Sequence, residues 1–210
     1  MYLRRTFTVT DRETQLNVIR DAGWGCLFGM KDGVPMASHL PFLVVGEQGQ
    51  ERLEGHMSRA NPHWETFANA AEMLVVFQGP HTYVTPSLSK AEQALPTWNY
   101  AAVHVYGRPI IVDAPEEVRA LITRLVDFRE SLFDVPWRLE SLDASWVDSK
   151  LRGIVSFQMP IERMEATFRL MQNRTAEDRR RVADALAESD DTNAQDVAAM
   201  IRTHSLESTD

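Results

Sequence analysis

The 210-residue chain carries a formal net charge of −8, 30 acidic residues against 22 basic ones, and a single cysteine, Cys26. The acidic balance argues against a surface built to neutralise nucleic-acid phosphates, so direct DNA binding is not expected. One cysteine excludes an internal disulfide framework and a cysteine-only zinc site, and no run approaches the ~18 uninterrupted apolar residues of a membrane span, which together predict a cytoplasmic protein.

The opening MYLRRTFTVTDRE lacks the apolar run of a signal peptide. Asp11 to Ala22 then places Leu16, Val18 and Ile19 on one side behind Thr10 or Asp11, which predicts a short amphipathic helix ended by Gly23. Trp24 to Met30 and Val34 to Val45 read as hairpin partners around Lys31-Asp32-Gly33. Pro35 and Pro41 lack a backbone donor and are expected at a strand start, an edge or a bulge. Arg52 to Met57 is a third strand running into Ser58, placed to cap a helix from Arg59 to about Ala70. That junction has two readings: an ordinary capped helix with Pro62 in its first turn, or a phosphate cradle in which unpaired N–H groups join Arg59 and Asn61.

Met73 to Val112 is the densest β-type stretch. Strands are predicted over Met73 to Phe77, Tyr83 to Thr85 and Val103 to Val112, around a loop bearing Pro80, His81, Lys90, Trp98, Asn99 and Tyr100. Helical spacing follows over Glu116 to Ser131 behind Pro115, and a short helix over Leu142 to Leu151 with Asp143 or Ser145 as cap. Arg152 to Leu170 alternates as one strand, whose Glu162, Arg163 and Glu165 suggest an edge. A capped helix starts at Thr175 with Val182, Leu186 and Ala183 or Ala185 inward, and a last one covers Ala194 to Arg202. Arg179 to Arg181, flanked by acids, reads as a solvated face, and the last few residues should fray. Many strands with short connections predict an α+β chain built on an antiparallel barrel or sandwich over residues 1–170, with 171–210 as a helical extension.

Several chemistries find no pattern. None of the six histidines forms a helical His-Glu-x-x-His pair, so no metal site is assigned, although His39, His56, His81 and His104 could converge in space. No Gly-x-Ser-x-Gly elbow, Walker loop or Rossmann loop is present, Cys26 sits in an apolar run, and no catalytic residue is singled out. What remains is an aromatic, amide and cationic set: Arg59, Asn61, His81, Tyr83, Lys90, Trp98, Asn99, Tyr100, Arg169, Gln172, Asn173 and Arg174. It suits a flat heteroaromatic ligand carrying a phosphate, while Trp98 and Tyr100 alone are equally well read as core filling.

Taken together, His39-Leu40-Pro41, Gly55-His56, Ala60-Asn61-Pro62 with Trp64, Val76 to His81 with Tyr83, Pro96-Thr97-Trp98-Asn99-Tyr100 and Gln172-Asn173-Arg174 resemble the PaiB family. That family is described as FMN-binding negative transcriptional regulators with the split barrel of pyridoxamine-phosphate-oxidase-like flavoproteins. The resemblance implies an antiparallel split β-barrel with peripheral helices, a homodimer, and FMN held between subunits. It implies cofactor contacts at His39, Ser58, Arg59, Asn61, His81, Tyr83, Lys90, Trp98, Asn99, Tyr100, Gln172, Asn173 and Arg174. The chain departs from the family at Thr85-Pro86-Ser87-Leu88-Ser89-Lys90, where Ser-Pro-Ser-Trp-Tyr is usual, and at Arg169-Leu170-Met171-Gln172-Asn173, where Lys-Leu-Ser-Gln-Asn is usual. Two alternatives stay open. One is a flavin-dependent oxidoreductase with His81 or Tyr100 as proton donor. The other is a haem protein using His39, His56 or His81.

Overall fold

The computed structural model describes residues 1–90 and 93–206; the fraying expected at 207–210 lies outside the described residues. After the short strand β1 (Thr8–Val9), helix α1 (Arg12–Ala22) opens on Asp11, whose Oδ2 accepts from the Thr14 N–H at 2.8 Å. It buries Leu16, Val18 and Ile19, and stops where Gly23 turns the chain at φ +54°, a conformation glycine adopts without a Cβ penalty. Strands β2 (Trp24–Lys31) and β3 (Val34–Val45) form the expected hairpin. Its two turn residues, Asp32 and Gly33, both have positive φ (52° and 77°), as a type I′ turn requires.

The prolines of β3 fall where a missing N–H does least harm. Pro35 is the second residue of the strand, and Pro41 is the last to pair with β2 before Phe42 to Val45 pair with β4 (Arg52–Ser58). The helix expected from Arg59 under a Ser58 cap is a correction. It is a 3-10 helix, Pro62–Asn69, and its cap is Asn61, which accepts from the His63 N–H at 3.0 Å. Asn61 precedes proline, which disfavours helical backbone, so it stays extended (φ −78°, ψ 114°) and the helix begins after it.

A second correction concerns the aromatic loop. Gly79 to Tyr83 belong to one strand, β5 (Met73–Val84), and Trp98 to Tyr100 to another, β6 (Thr97–Gly107), leaving a connection from Thr85 to Pro96 that contains a 3-10 turn, Pro86–Leu88. Strand β7 (Ile110–Val112) and helices α2 (Pro115–Glu130) and α3 (Ala144–Leu151) follow; Asp143 caps α3 by accepting from the Trp146 N–H at 2.8 Å. The single strand expected from Arg152 to Leu170 is two, β8 (Ile154–Pro160) and β9 (Arg163–Arg169), because Pro160 ends the first. Helices α4 (Ala176–Ala187) and α5 (Thr192–Ile201) complete the chain, with Thr175 and Asp191 as caps.

The chain divides into two compact units. One comprises the described residues of 1–21, 78–104 and 165–210, with strand order β1-β9-β6-β5; its core includes Leu16, Ile19, Phe168, Leu170, Val182, Leu186 and Ile201. Here Arg179, expected on a solvated face, is buried and donates to the Ser205 carbonyl, a partner 26 residues away that no local charge pattern signals. The other unit comprises 22–77 and 105–164, with order β5-β2-β3-β4-β8-β7, and every pairing described within it is antiparallel. Phe42 packs edge-on against Phe77 and Phe157 at 5.5 and 6.1 Å between centroids, and α2 and α3 bury Val118, Leu121, Ile122 and Val147 with Val112. Among the described residues no helix is long and apolar enough to cross a membrane.

Candidate functional site

In the first unit, strand alternation sorts the candidate residues onto two faces. Along β6, Asn99, Ala101 and Val103 are buried, while Trp98, Tyr100 and Ala102 point the other way. Along β5, Thr82 and Val84 are buried and His81 and Tyr83 are not. Trp98 therefore meets its cross-strand neighbours: its ring lies 6.3 Å from His81, tilted by 32°, and 6.0 Å from Tyr83, edge to face. Trp98 is 55% exposed and Tyr83 50%, so these rings do not fill a core. His81 Nδ1 lies 3.2 Å from the Gly79 carbonyl.

The opposite face carries the amide and the cations. A cavity of about 720 Å³ is walled by Thr85, Asn99, Arg169, Met171, Asn173 and Arg174 among others. Asn99 is 1% exposed, and among the described residues neither its Oδ1 nor its Nδ2 has a hydrogen-bond partner. Arg174 Nη1 reaches the Gln93 carbonyl, at 3.4 Å, and the Arg169 guanidinium stands 5.6 Å over the Phe7 ring. Gln172 does not line this space. Its Oε1 accepts from the Leu170 N–H at 2.8 Å and its Nε2 donates to the Phe168 carbonyl at 2.6 Å, a clamp that holds Met171 at φ +65°. Nothing in a methionine signals a left-handed backbone, so sequence reasoning misses this position. Lys90 lies in an adjoining groove with Asn173 and Asp178, its backbone N–H donating to Asp178 Oδ1 at 3.0 Å.

The remaining candidates belong to the second unit. His39 is exposed on β3, opposite Cys26, whose thiol burial pushes upward from its ordinary pKa. Around Ser58 the backbone donors are already used: the N–H groups of Arg59, Ala60 and Asn61 go to the Gly153 carbonyl, Ser58 Oγ and the Ser58 carbonyl. Arg59 Nε and Nη2 donate to the carbonyls of Arg152 and Ile154 at 3.1 and 2.8 Å, fixing the guanidinium at the surface. Asn61 Nδ2 donates to Ser38 Oγ, which also lies 2.9 Å from Nδ1 of His63. His63 is fully buried with Nε2 unpartnered among the described residues, and desolvation holds it, like His56, below the ordinary imidazole pKa. A Cβ on Gly29 would stand 2.4 Å from that Nε2, so glycine is required for the ring to fit. Among the described residues no three His, Cys, Asp or Glu side chains group to hold a metal.

Comparison with known proteins adds a family. Residues 1–163 match the family model described as "Putative FMN-binding domain". The chain is 32% identical over 201 residues to the protease synthase and sporulation protein PAI 2 of Bacillus subtilis, covering 96% of each. Among solved structures it resembles a FAD and haem binding protein from Mycobacterium smegmatis (TM-score 0.59, 20% identity, 77% of this chain and 73% of that one). It also resembles the flavocytochrome Anf3 from Azotobacter vinelandii (TM-score 0.59, 14% identity, 80% and 72%). At such identities these likenesses show the fold alone, the antiparallel split barrel with peripheral helices.

Proposed function

Because the chain belongs to the FMN-binding family to which PaiB proteins also belong, we propose that it works as a cytoplasmic homodimer that seats the flavin ring against His81, Tyr83, Trp98 and Tyr100. The observation that carries this seat is the pair of half-exposed rings, Trp98 and Tyr83, on a strand face with no core to fill. A planar isoalloxazine fits such a face by stacking, and FMN when bound supplies one- and two-electron redox chemistry. The chain's own residues contribute the stacking platform and, through His81, a hydrogen-bonding group at its edge. Arg59, in the second unit, offers an anion its charge alone, since its neighbouring amides are spent on internal acceptors.

The second copy is argued from the outward face of β2. Register puts Trp24, Phe28 and Met30 beside Pro41, Ala37 and Pro35 of β3, and Cys26 and Phe28 beside Val76 and Leu74 of β5. Trp24, Phe28 and Met30 are 56%, 40% and 62% exposed. His39 and the Cys26 thiol are the only ionisable groups in this set, so a charged partner finds no complement there, whereas a like face does. A regulatory role, taken from the family description of PaiB proteins, is read as running through another protein or a metabolite, in keeping with the acidic balance of the chain.

The test is the absorption spectrum of the purified protein with an FMN titration. A flavin spectrum, or uptake of added FMN that weakens in Trp98→Ala, supports the proposal. A colourless wild type that takes up no FMN overturns it, and a Soret band on adding haem would favour the haem alternative.

A further inference from the structure

We propose that the cavity on the opposite face of the first unit's sheet is a second ligand site, for a small organic anion that carries a carboxylate or phosphate and an amide-like edge. The proposal does not rest on the flavin seat, since alternation along β6 turns Asn99 away from Trp98 and Tyr100. The volume, about 720 Å³, suits a metabolite-sized ligand.

Three observations give the ligand its chemistry. Asn99 is buried and lines the cavity with both amide heteroatoms unpaired among the described residues. Buried amides almost always find partners, and one ligand edge with an N–H beside a C=O would satisfy both atoms at once. Arg169 and Arg174 line the same space, and no carboxylate among the described residues forms an ion pair with either. A guanidinium fork left in this way suits a carboxylate or phosphate. Lastly, Met171 in the cavity wall is held left-handed by the Gln172 clamp, a strained conformation of the kind that persists where the surrounding structure over-determines it.

Isothermal titration on the flavin-free, 210-residue protein tests this with orotate, which has a carboxylate and an imide edge, against benzoate, which has only the carboxylate, and uracil, which has only the edge. Orotate is expected to bind at least about tenfold more tightly than either. Inorganic phosphate and acetate, run separately, distinguish which anion the arginines prefer. Asn99→Leu should abolish the preference for orotate over benzoate, and Arg174→Gln, a change at a half-buried side chain, should weaken every anion about tenfold. Orotate binding no better than benzoate, or undisturbed by Arg174→Gln, overturns the proposal. So does competitive displacement of orotate by FMN, which would make the cavity part of one flavin site. Should Asn99→Leu fail to fold, the orotate–benzoate comparison, Arg174→Gln and the FMN competition still decide.

Discussion

Asp178 in the first turn of α4 holds Ser89 across 89 residues of sequence: the serine hydroxyl donates to both carboxylate oxygens, at 3.0 and 2.7 Å. The same carboxylate accepts from the Lys90 N–H, while its own N–H is taken by the Thr175 cap at 3.2 Å. An acid at this place in a capping box usually turns back to the cap; here it ties the strand connection to the helix. Asp178→Ala should lower stability by about 1–3 kcal/mol, because it removes the carboxylate that accepts from the Ser89 hydroxyl and the Lys90 N–H in partly buried surroundings. Urea unfolding of the variant measures this, and an unchanged midpoint would rule out a structural role for the tie.

Much of the architecture is readable from periodicity, since α2, α3, α4 and the Asp32-Gly33 hairpin depend on local spacing and capping. The start of the 3-10 helix was also within reach, because Asn61-Pro62 carries the pre-proline restriction that overrules the Ser58 cap. The division of the candidate site needed strand boundaries. Once Trp98, Asn99 and Tyr100 fall in one strand, alternation forbids them a common face; read as loop, they could share one. What no local pattern supplies is long-range pairing, as in Arg179 with Ser205 or Asn61 with Ser38.

Glu54, fully buried, accepts from Arg124 Nε and Nη2 at 3.0 and 2.8 Å and from Arg52 Nη2 at 2.9 Å. Removing one guanidinium leaves a buried carboxylate short of donors, but Arg52 remains and both arginines are partly solvated. Arg124→Ala should therefore destabilise by about 2 kcal/mol, less than the loss of a sole buried partner. Chemical denaturation of Arg124→Ala beside Glu54→Gln tests the order: the glutamine variant, which removes the buried charge, should lose less.

Acid should weaken the fold through His63 and His56. Burial lowers both from the ordinary value of 6.5, so below that pH the unfolded chain binds protons that the folded one refuses. Their contribution is intact above about pH 6.5 and is lost as the pH falls from there through the depressed values. Thermal midpoints from pH 7.5 down to 5 should decline, and His63→Gln, which cannot take up the proton, should decline less steeply. Parallel slopes would assign the acid sensitivity to other groups.

The apolar face of β2 and β3 gives a test of assembly. Met30 and Phe28 are exposed there, in register with Pro35 and Ala37, and a lysine at position 30 would set like charges against each other across a symmetric contact. Met30→Lys should shift sedimentation from dimer toward monomer without lowering the thermal midpoint of the monomer's own core, because residue 30 fills no interior space. A wild type that sediments as a monomer at all concentrations would leave the face without the proposed occupant.

Trp98 is where the flavin seat is most open to measurement. Its ring is tilted by 32° to His81 and stands edge-on to Tyr83, so one ring face is braced while more than half of the side chain meets solvent. A stacked aromatic is worth about 0.5–1.5 kcal/mol beyond its buried area, which with the lost area puts Trp98→Ala about tenfold or more weaker for FMN. Trp98→Phe keeps a stacking surface and should recover most of that loss, a result that lost folding would not give. Quenching of flavin fluorescence on titration reads both variants. Equal affinity in wild type and Trp98→Ala would move the ring away from this face, since no other exposed aromatic on β6 could replace an indole of that size.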